Sequence, residues 1–279
     1  MKLQVDHVTI ASAALDRLAD AFSEAGFPVR YGGEHSNDVT HMSQIGFPDG
    51  SYLELLSTIE PEMEAPKWND PIRESAGPCA WAVAVDDIET ATADLRDRGV
   101  RVDGPDEYRR RRADGTLVEW DLTFLGEGDP GSVLPFLISD RTPRDRRVQT
   151  DDDAASFPIG GIDTVVIGVP ELDAAIERFT TAFDLSEPTM GRLANPSADV
   201  AVFPDQPVAL ARPRGQGWLV DRIEEFGPLP AAYLLEQRRH TDHRFEDFET
   251  DSLGDRQIEW LPVTEPVGHR YLGLVESTA

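Results

Sequence analysis

Lysine is nearly missing from this sequence of 279 residues: only Lys2 and Lys67 occur, against 24 arginines. Positive charge as a whole is scarce, with 26 basic side chains facing 52 acidic ones, for a formal net charge of −26. That balance argues against duplex nucleic acid as a partner, because affinity for a polyanion comes mainly from Lys and Arg displacing counterions. A single cysteine, Cys79, excludes an internal disulfide, so nothing points to an oxidising compartment. No apolar run approaches the roughly 20 residues of a membrane span, and the opening MKLQVDHVTIA lacks the apolar stretch of a signal peptide. The chain therefore reads as soluble and cytoplasmic, without a membrane partner. Motifs of serine hydrolases, phosphate loops and C-x-x-C redox or metal sites are absent as well. Aromatic residues make up only 8%, yet 40% of the chain is hydrophobic, enough for a core.

What is abundant is carboxylate, 30 Asp and 22 Glu. Short, strongly hydrated acids suit concentrated salt, where the Debye length falls to about 3 Å at 1 M and self-repulsion is screened. This composition resembles that of halophilic archaea. A GC-rich genome would explain the arginine bias but not the acid excess.

One pattern recurs along the chain: an apolar strand, an amphipathic helix, a stop, then further strands. The first copy runs VDHVTIA, LDRLADAFSEAGFPV, then strands around HMSQIGF and SYLELLS. Leu15, Leu18, Ala19, Phe22 and Ala25 fall at helical spacing, and Gly26 stands where a helix stop needs a left-handed residue. The second copy, CAWAVAV and IETATADLRDRGVRV, repeats these at a constant offset of 73, and the third, from IDTVVIGVP onward, at an offset of 157. The last is weaker: AAYLLEQ, a polar helix-like stretch, QIEWLPV and RYLGLVE. Four βαβββ modules of mixed α+β class are therefore expected, paired into halves spanning 1–140 and 158–279. The charged, aperiodic segment 141–157 reads as a linker. Closing two modules against each other leaves a cleft of the kind that holds ligands.

The paired modules, VDHVTIA with its histidine, the GGEH stretch and DGSYLELL with its glutamate together resemble the vicinal oxygen chelate superfamily, specifically its glyoxalase-like domain family. The resemblance implies cupped mixed sheets around a divalent metal (Fe, Mn, Zn or Ni) and a small oxygenated substrate undergoing lyase, isomerase or dioxygenase chemistry. Some members bind small molecules without metal or reaction, so the fold alone does not assign an activity.

The resemblance makes His7 and Glu54 metal ligands, with Glu54 also catalytic. Strand alternation puts Val5, His7 and Thr9 on one face and Asp6, Val8 and Ile10 on the other. Glu54 lies between two leucines, where an acid is costly to bury without a partner. The second module lacks the pair that symmetric members carry, since Ala80 and Phe136 stand at those places. His41 is the preferred third ligand, giving two histidines and one carboxylate. His35, after the two glycines, could reach the cleft from a loop, as an alternative third ligand or as a substrate-binding residue, and Glu119 or Asp121 could reach it from the second module as further alternatives. Arg109 and Arg111, on one side of the run Arg109–Arg112, could grip an acidic ligand by a bidentate fork; an aggregation-resistant edge strand is the alternative. Trp81 and Trp120 could wall the cleft, though core packing is the commoner fate of such residues. In the second half Thr164 and Leu210 replace the ligand pair, so that half is expected to be structural. His240 and His243 have a spacing that suits metal only on a helix, and His269 reads as structural. The expectation is a metal-dependent enzyme with its site in the first half, the alternative a metal-free small-molecule binder; a homodimer stays open.

Overall fold

The protein is described by a computed structural model covering residues 2–112, 114–149, 157–238 and 248–276. The first module is β1 (Val5–Ala11), α1 (Leu15–Glu24), β2 (Arg30–Glu34), β3 (Thr40–Gly46) and β4 (Tyr52–Thr58). A short helix, α2 (Asn69–Arg73), leads to the second: β5 (Gly77–Ala84), α3 (Ile88–Asp97), β6 (Val102–Arg111), β7 (Leu117–Leu125) and β8 (Phe136–Asp140). After α4 (Arg144–Arg147) the third follows as β9 (Ile159–Gly168), α5 (Leu172–Phe183), β10 (Thr189–Leu193), β11 (Ala198–Val202) and β12 (Val208–Pro213). Helix α6 (Trp218–Phe226) precedes the fourth module, β13 (Leu229–Gln237), β14 (Glu249–Leu253), β15 (Arg256–Trp260) and β16 (Leu272–Glu276). The helix-like stretch expected after β13, with His240 and His243, lies outside the described residues.

The strands form two eight-stranded sheets, ordered β2, β3, β4, β1, β5, β8, β7, β6 and β10, β11, β12, β9, β13, β16, β15, β14. In each, two modules meet through antiparallel first strands, β1 with β5 and β9 with β13. Each first strand also pairs in parallel with the fourth strand of its own module. This is the α+β architecture that the repeat implies.

The helical spacing read in the sequence has a direct packing cause. Leu15, Leu18 and Phe22 of α1 are buried against the outer face of the first sheet, and Leu172, Ala175 and Phe179 of α5 do the same in the second half. α3 is capped by Asp87, whose carboxylate accepts from Thr90 N at 3.0 Å and satisfies one of the otherwise unpaired donors of the first turn. One apolar cluster runs through both halves. Trp81, expected as a possible cleft wall, belongs to it: fully buried, it stacks on Phe179 of α5 at 6.4 Å between ring centroids. The segment read as a linker contributes structure too, because α4 lies in it and Arg147 is buried in the first half.

The two ends of the first sheet approach each other at a bridge between His35 and Arg110, which curls the sheet into a cup. Here the GGEH stretch finds its reason. A Cβ on Gly32 would lie 2.0 Å from Met42 Sδ, and one on Gly33, whose φ is +111°, would lie 2.8 Å from Arg111 O. Only glycine permits so close an approach with that backbone.

Candidate functional site

The inside of the first cup holds a cavity of about 320 Å³. Its walls are chiefly Trp120 and Leu122 of β7, Phe124, Phe136 of β8 and Met42 of β3, and its polar end is made by His7, His35 and Glu54. All three polar residues come from the first module.

His7 sits at an irregularity in β1. Pairing with β5 shifts between Val5 and His7, so Asp6 is left without a partner there. A bulge of this kind turns side chains off the simple alternation. Val5 packs into the outer core, while the Asp6 carboxylate swings to His7 and accepts from Nδ1 at 2.7 Å. The expected grouping of Val5 with His7, and of Asp6 with the opposite face, is thus corrected by one bulge. With its proton on Nδ1, His7 presents an Nε2 lone pair into the cup, 3.9 Å from Glu54 Oε2. The ring is held from both sides, stacked on Tyr52 at 4.7 Å and edge to face with Phe136 at 5.3 Å.

Glu54 lies in β4 opposite Thr9, whose hydroxyl donates to Oε2 at 2.9 Å. His35 approaches from the seam, Nε2 3.6 Å from Glu54 Oε1, with Nδ1 2.9 Å from Thr40 Oγ1. Burial lowers the His35 pKa, only partly countered by the Glu54 charge, so the ring stays neutral to lower pH than an ordinary histidine.

Behind His7 lies an ion network absent from the expectations. Arg147 donates to both Asp6 oxygens at 2.8 and 2.7 Å and to both Asp140 oxygens at 2.5 and 3.0 Å, and reaches Tyr52 Oη at 3.2 Å. Arg144 adds a contact to Asp6 at 2.5 Å. Burial alone would raise the Asp6 pKa, but the Arg147 charge and hydrogen bonds reverse this and hold the carboxyl well below its usual range. A buried arginine demands such partners, yet neither Asp6 nor Arg147 belongs to a motif a sequence reader would single out.

Other expected site residues are placed differently. His41 has the wrong parity: Thr40 and Met42 face the cavity, whereas His41 lies edge on to the exposed Tyr31 at 6.0 Å. The place expected for His41 beside His7 and Glu54 is taken by His35. Of the arginine run, Arg110 turns inward, donating to Gly32 O and, at 2.8 Å, to Arg147 O. Arg111 is exposed and reaches Gly115 O at 3.3 Å, away from the cavity, while Arg109, also exposed, borders the mouth. Trp120 does wall the cavity, and its neighbours Glu119 and Asp121 take the opposite parity, Asp121 facing Arg141 at 3.3 Å. His269 stacks on Trp218 at 5.3 Å, a structural role.

The sheet registers give the four equivalent positions. Thr9 opposite Glu54 corresponds to Ala82 opposite Phe136 and to Val166 opposite Ala209. The third module therefore has Ala209 rather than Leu210 in the place of Glu54; Leu210 faces the outer core. In the fourth the place falls to Gly273, where a Cβ would lie 2.6 Å from Ile258 and 2.8 Å from Leu234. The second cup is filled at that point by apolar side chains, Trp260 among them. Its outer scaffold is retained: Thr164 donates to Asp163, and Arg256 bonds both Asp163 oxygens at 2.8 and 2.7 Å, as Arg147 does with Asp6.

Two imidazoles and one carboxylate suit a divalent cation by kind, and a carboxylate fixing the remote nitrogen of His7 is the usual support for such a ligand. As they stand the donors flank one another without closing around a point, and among the described residues no group of three His, Cys, Asp or Glu does so. The chemistry of the donor set fits a metal; its closure would have to accompany binding.

Comparison with known proteins agrees with this fold. A hypothetical protein from Staphylococcus aureus superposes with a TM-score of 0.67 at 14% identity, covering 99% of this chain and all of that one. The Mn(II)-bound glyoxalase from Novosphingobium aromaticivorans gives 0.58 at 13% identity, covering 98% and 81%. The 2,2',3-trihydroxybiphenyl 1,2-dioxygenase from Sphingomonas wittichii gives 0.57 at 14%, covering 99% and 91%. No curated protein matches the sequence. No helix among the described residues is long and apolar enough to cross a membrane. The family model of the glyoxalase-like domain matches residues 5–184, and the chain belongs to that family.

Proposed function

We propose that the protein is a divalent-metal-dependent enzyme acting on a small oxygenated metabolite, with its centre at His7, His35 and Glu54. The observation that carries this reading is that both imidazole Nε2 atoms face one nearly buried carboxylate at the end of an apolar cavity. A bound metal would supply Lewis acidity toward a carbonyl, enol or enolate oxygen. Asp6 keeps the His7 proton on Nδ1, and Tyr52 and Phe136 fix the ring plane, so Nε2 is offered as a lone pair. Thr9 anchors one Glu54 oxygen and leaves the other free to bind or to move a proton. The aromatic walls exclude water from the substrate. Residues 158–279 serve as support: Tyr233 Oη lies 2.8 Å from Thr9 O and 3.0 Å from Ala80 O, beneath the strand pair that carries the site.

The reading is tested by elemental analysis of protein purified without chelator, expected to give about one equivalent of divalent metal per chain. A chain that stays metal-free when offered Mn, Fe, Zn and Ni would leave the second reading, a metal-free binder in the same cavity. That second reading is favoured by the second module, where Ala80 and Phe136 stand in the ligand places.

A further inference from the structure

The cavity has two chemically distinct ends. At one lie His7, His35 and Glu54; at the other, where the cavity meets a surface groove, lies Lys67. Between them run two phenyl rings. Phe136 is edge to face with His7 at 5.3 Å, Phe124 is edge to face with Phe136 at 5.8 Å, and Lys67 Nζ stands over the Phe124 ring at 4.1 Å. Lys67 is one of only two lysines in a chain with 52 acids; among the described residues its ammonium makes no ion pair within 4 Å, although its charge acts on Asp129 of the adjoining groove, which Asp103 and Glu127 also line. Arg109, bordering the same cavity, likewise has no ion-pair partner among the described residues.

The loop holds Lys67 in place at a cost. Its neighbour Trp68 adopts a left-handed backbone with φ +57°, disfavoured by about 1–2 kcal/mol for a residue with a Cβ. The Trp68 indole offsets this by donating to Pro130 O at 2.8 Å and packing against Phe136 at 6.1 Å. Strain kept beside a cavity is commonly tied to what the cavity binds. A flexible, strongly hydrated ammonium suits a point contact with an anion better than a core role.

We propose that the ligand of this cavity is an anion with an apolar, preferably aryl, body, whose carboxylate is read by Lys67 while its other end reaches toward His7 and Glu54. The inference rests on the cavity being the active site but not on the metal. An acid with a two-carbon to four-carbon chain on a phenyl ring matches the layout: the ring lies among Phe124, Phe136 and Trp120, and the charge meets Lys67 at the rim.

The test uses the full chain at one fixed ionic strength, with 4-phenylbutyrate and its uncharged carboxamide as probes, titrated by calorimetry. One charge-assisted contact corresponds to about tenfold or more in affinity. The acid should bind about tenfold more tightly than the amide. Lys67→Gln should remove most of that preference, read as the ratio of acid to amide affinity in each protein, and Lys67→Arg should keep most of it. Equal affinities for acid and amide, a preference unaltered in Lys67→Gln, or no binding of the acid at millimolar concentration would each overturn the proposal. Running the titrations on chelator-treated and Mn(II)-supplemented protein separates the two claims. A Lys67-dependent preference in metal-free protein stands whether or not the metal reading does.

Discussion

Asp6 and Arg147 form a buried, two-pronged ion pair, and the same Asp6 oxygen that takes Arg147 Nη1 at 2.8 Å accepts from His7 Nδ1 at 2.7 Å. The segment after β8 is thereby wired to the ring that ends the cavity. Breaking a buried pair by removing one charge costs about 3–5 kcal/mol. Asp6→Asn should therefore lower unfolding free energy by about 3 kcal/mol in chemical denaturation. The folded-state pKa of Asp6 is depressed, so its contribution is complete above the unfolded value of about 4 and is lost as pH falls below that. The wild type should lose stability below about pH 4 more steeply than Asp6→Asn; parallel acid limbs would contradict the assignment.

The seam of the cup makes a second prediction. Gly33 has φ +111° and would place a Cβ 2.8 Å from Arg111 O. Gly33→Ala should destabilise by more than the roughly 1 kcal/mol of an ordinary left-handed glycine replacement, because the β2 and β6 edges must also part. Gly26→Ala, with φ +91° but nothing within 4 Å of its Cβ, is the control and should cost less. Equal midpoints for the two variants would show that the seam does not constrain the fold.

Stoichiometry tests the division of labour between the halves. Ala209, Gly273, Thr164 and Ala232 cannot hold a metal, and Trp260 and Leu234 fill the second cup. Metal content should saturate at about one equivalent, and Thr164→Ala should leave it unchanged. Two equivalents per chain would place a centre where none is expected.

Salt dependence follows from composition. At −26 the folded chain concentrates charge that the unfolded chain disperses, and surface pairs worth roughly 0–1 kcal/mol each cannot offset it. The melting temperature should rise between about 0.1 and 2 M KCl as screening shortens. A flat or falling profile would remove the salt-adapted reading and leave a GC-rich genome behind the arginine bias.

The fourfold repeat, the helices on Leu15–Phe22 and Leu172–Phe183, and the absence of the histidine and glutamate from the second and third modules were legible because periodicity and offset are properties of sequence alone; in the third the offset missed the register by one residue, since Ala209 and not Leu210 stands opposite Val166. His7 and Glu54 stood out as polar groups in apolar strands, their ligand role came from the family resemblance, and the structure adds that both side chains face one cavity. What escaped notice depends on register and bulges. A one-residue irregularity at Asp6 moves its carboxylate to the cup, strand parity turns Arg110 inward in place of its neighbours and His41 away, and the seam, which decides between the two candidate histidines in favour of His35, exists only in the folded sheet. Arg147 reads as one charge among several in a segment with as many arginines as aspartates, and only the folded chain brings Asp6 against it.

The most direct test is the metal content of His7→Ala, His35→Ala, Glu54→Gln and His41→Ala beside the wild type, each loaded with Mn(II), desalted and measured by elemental analysis, with circular dichroism as the check on folding. The first three should lose the bound equivalent, because each removes a donor at the end of the cavity, and His41→Ala should keep it. Retention by folded His7→Ala and Glu54→Gln, or loss confined to His41→Ala, would contradict the centre assigned to His7, His35 and Glu54.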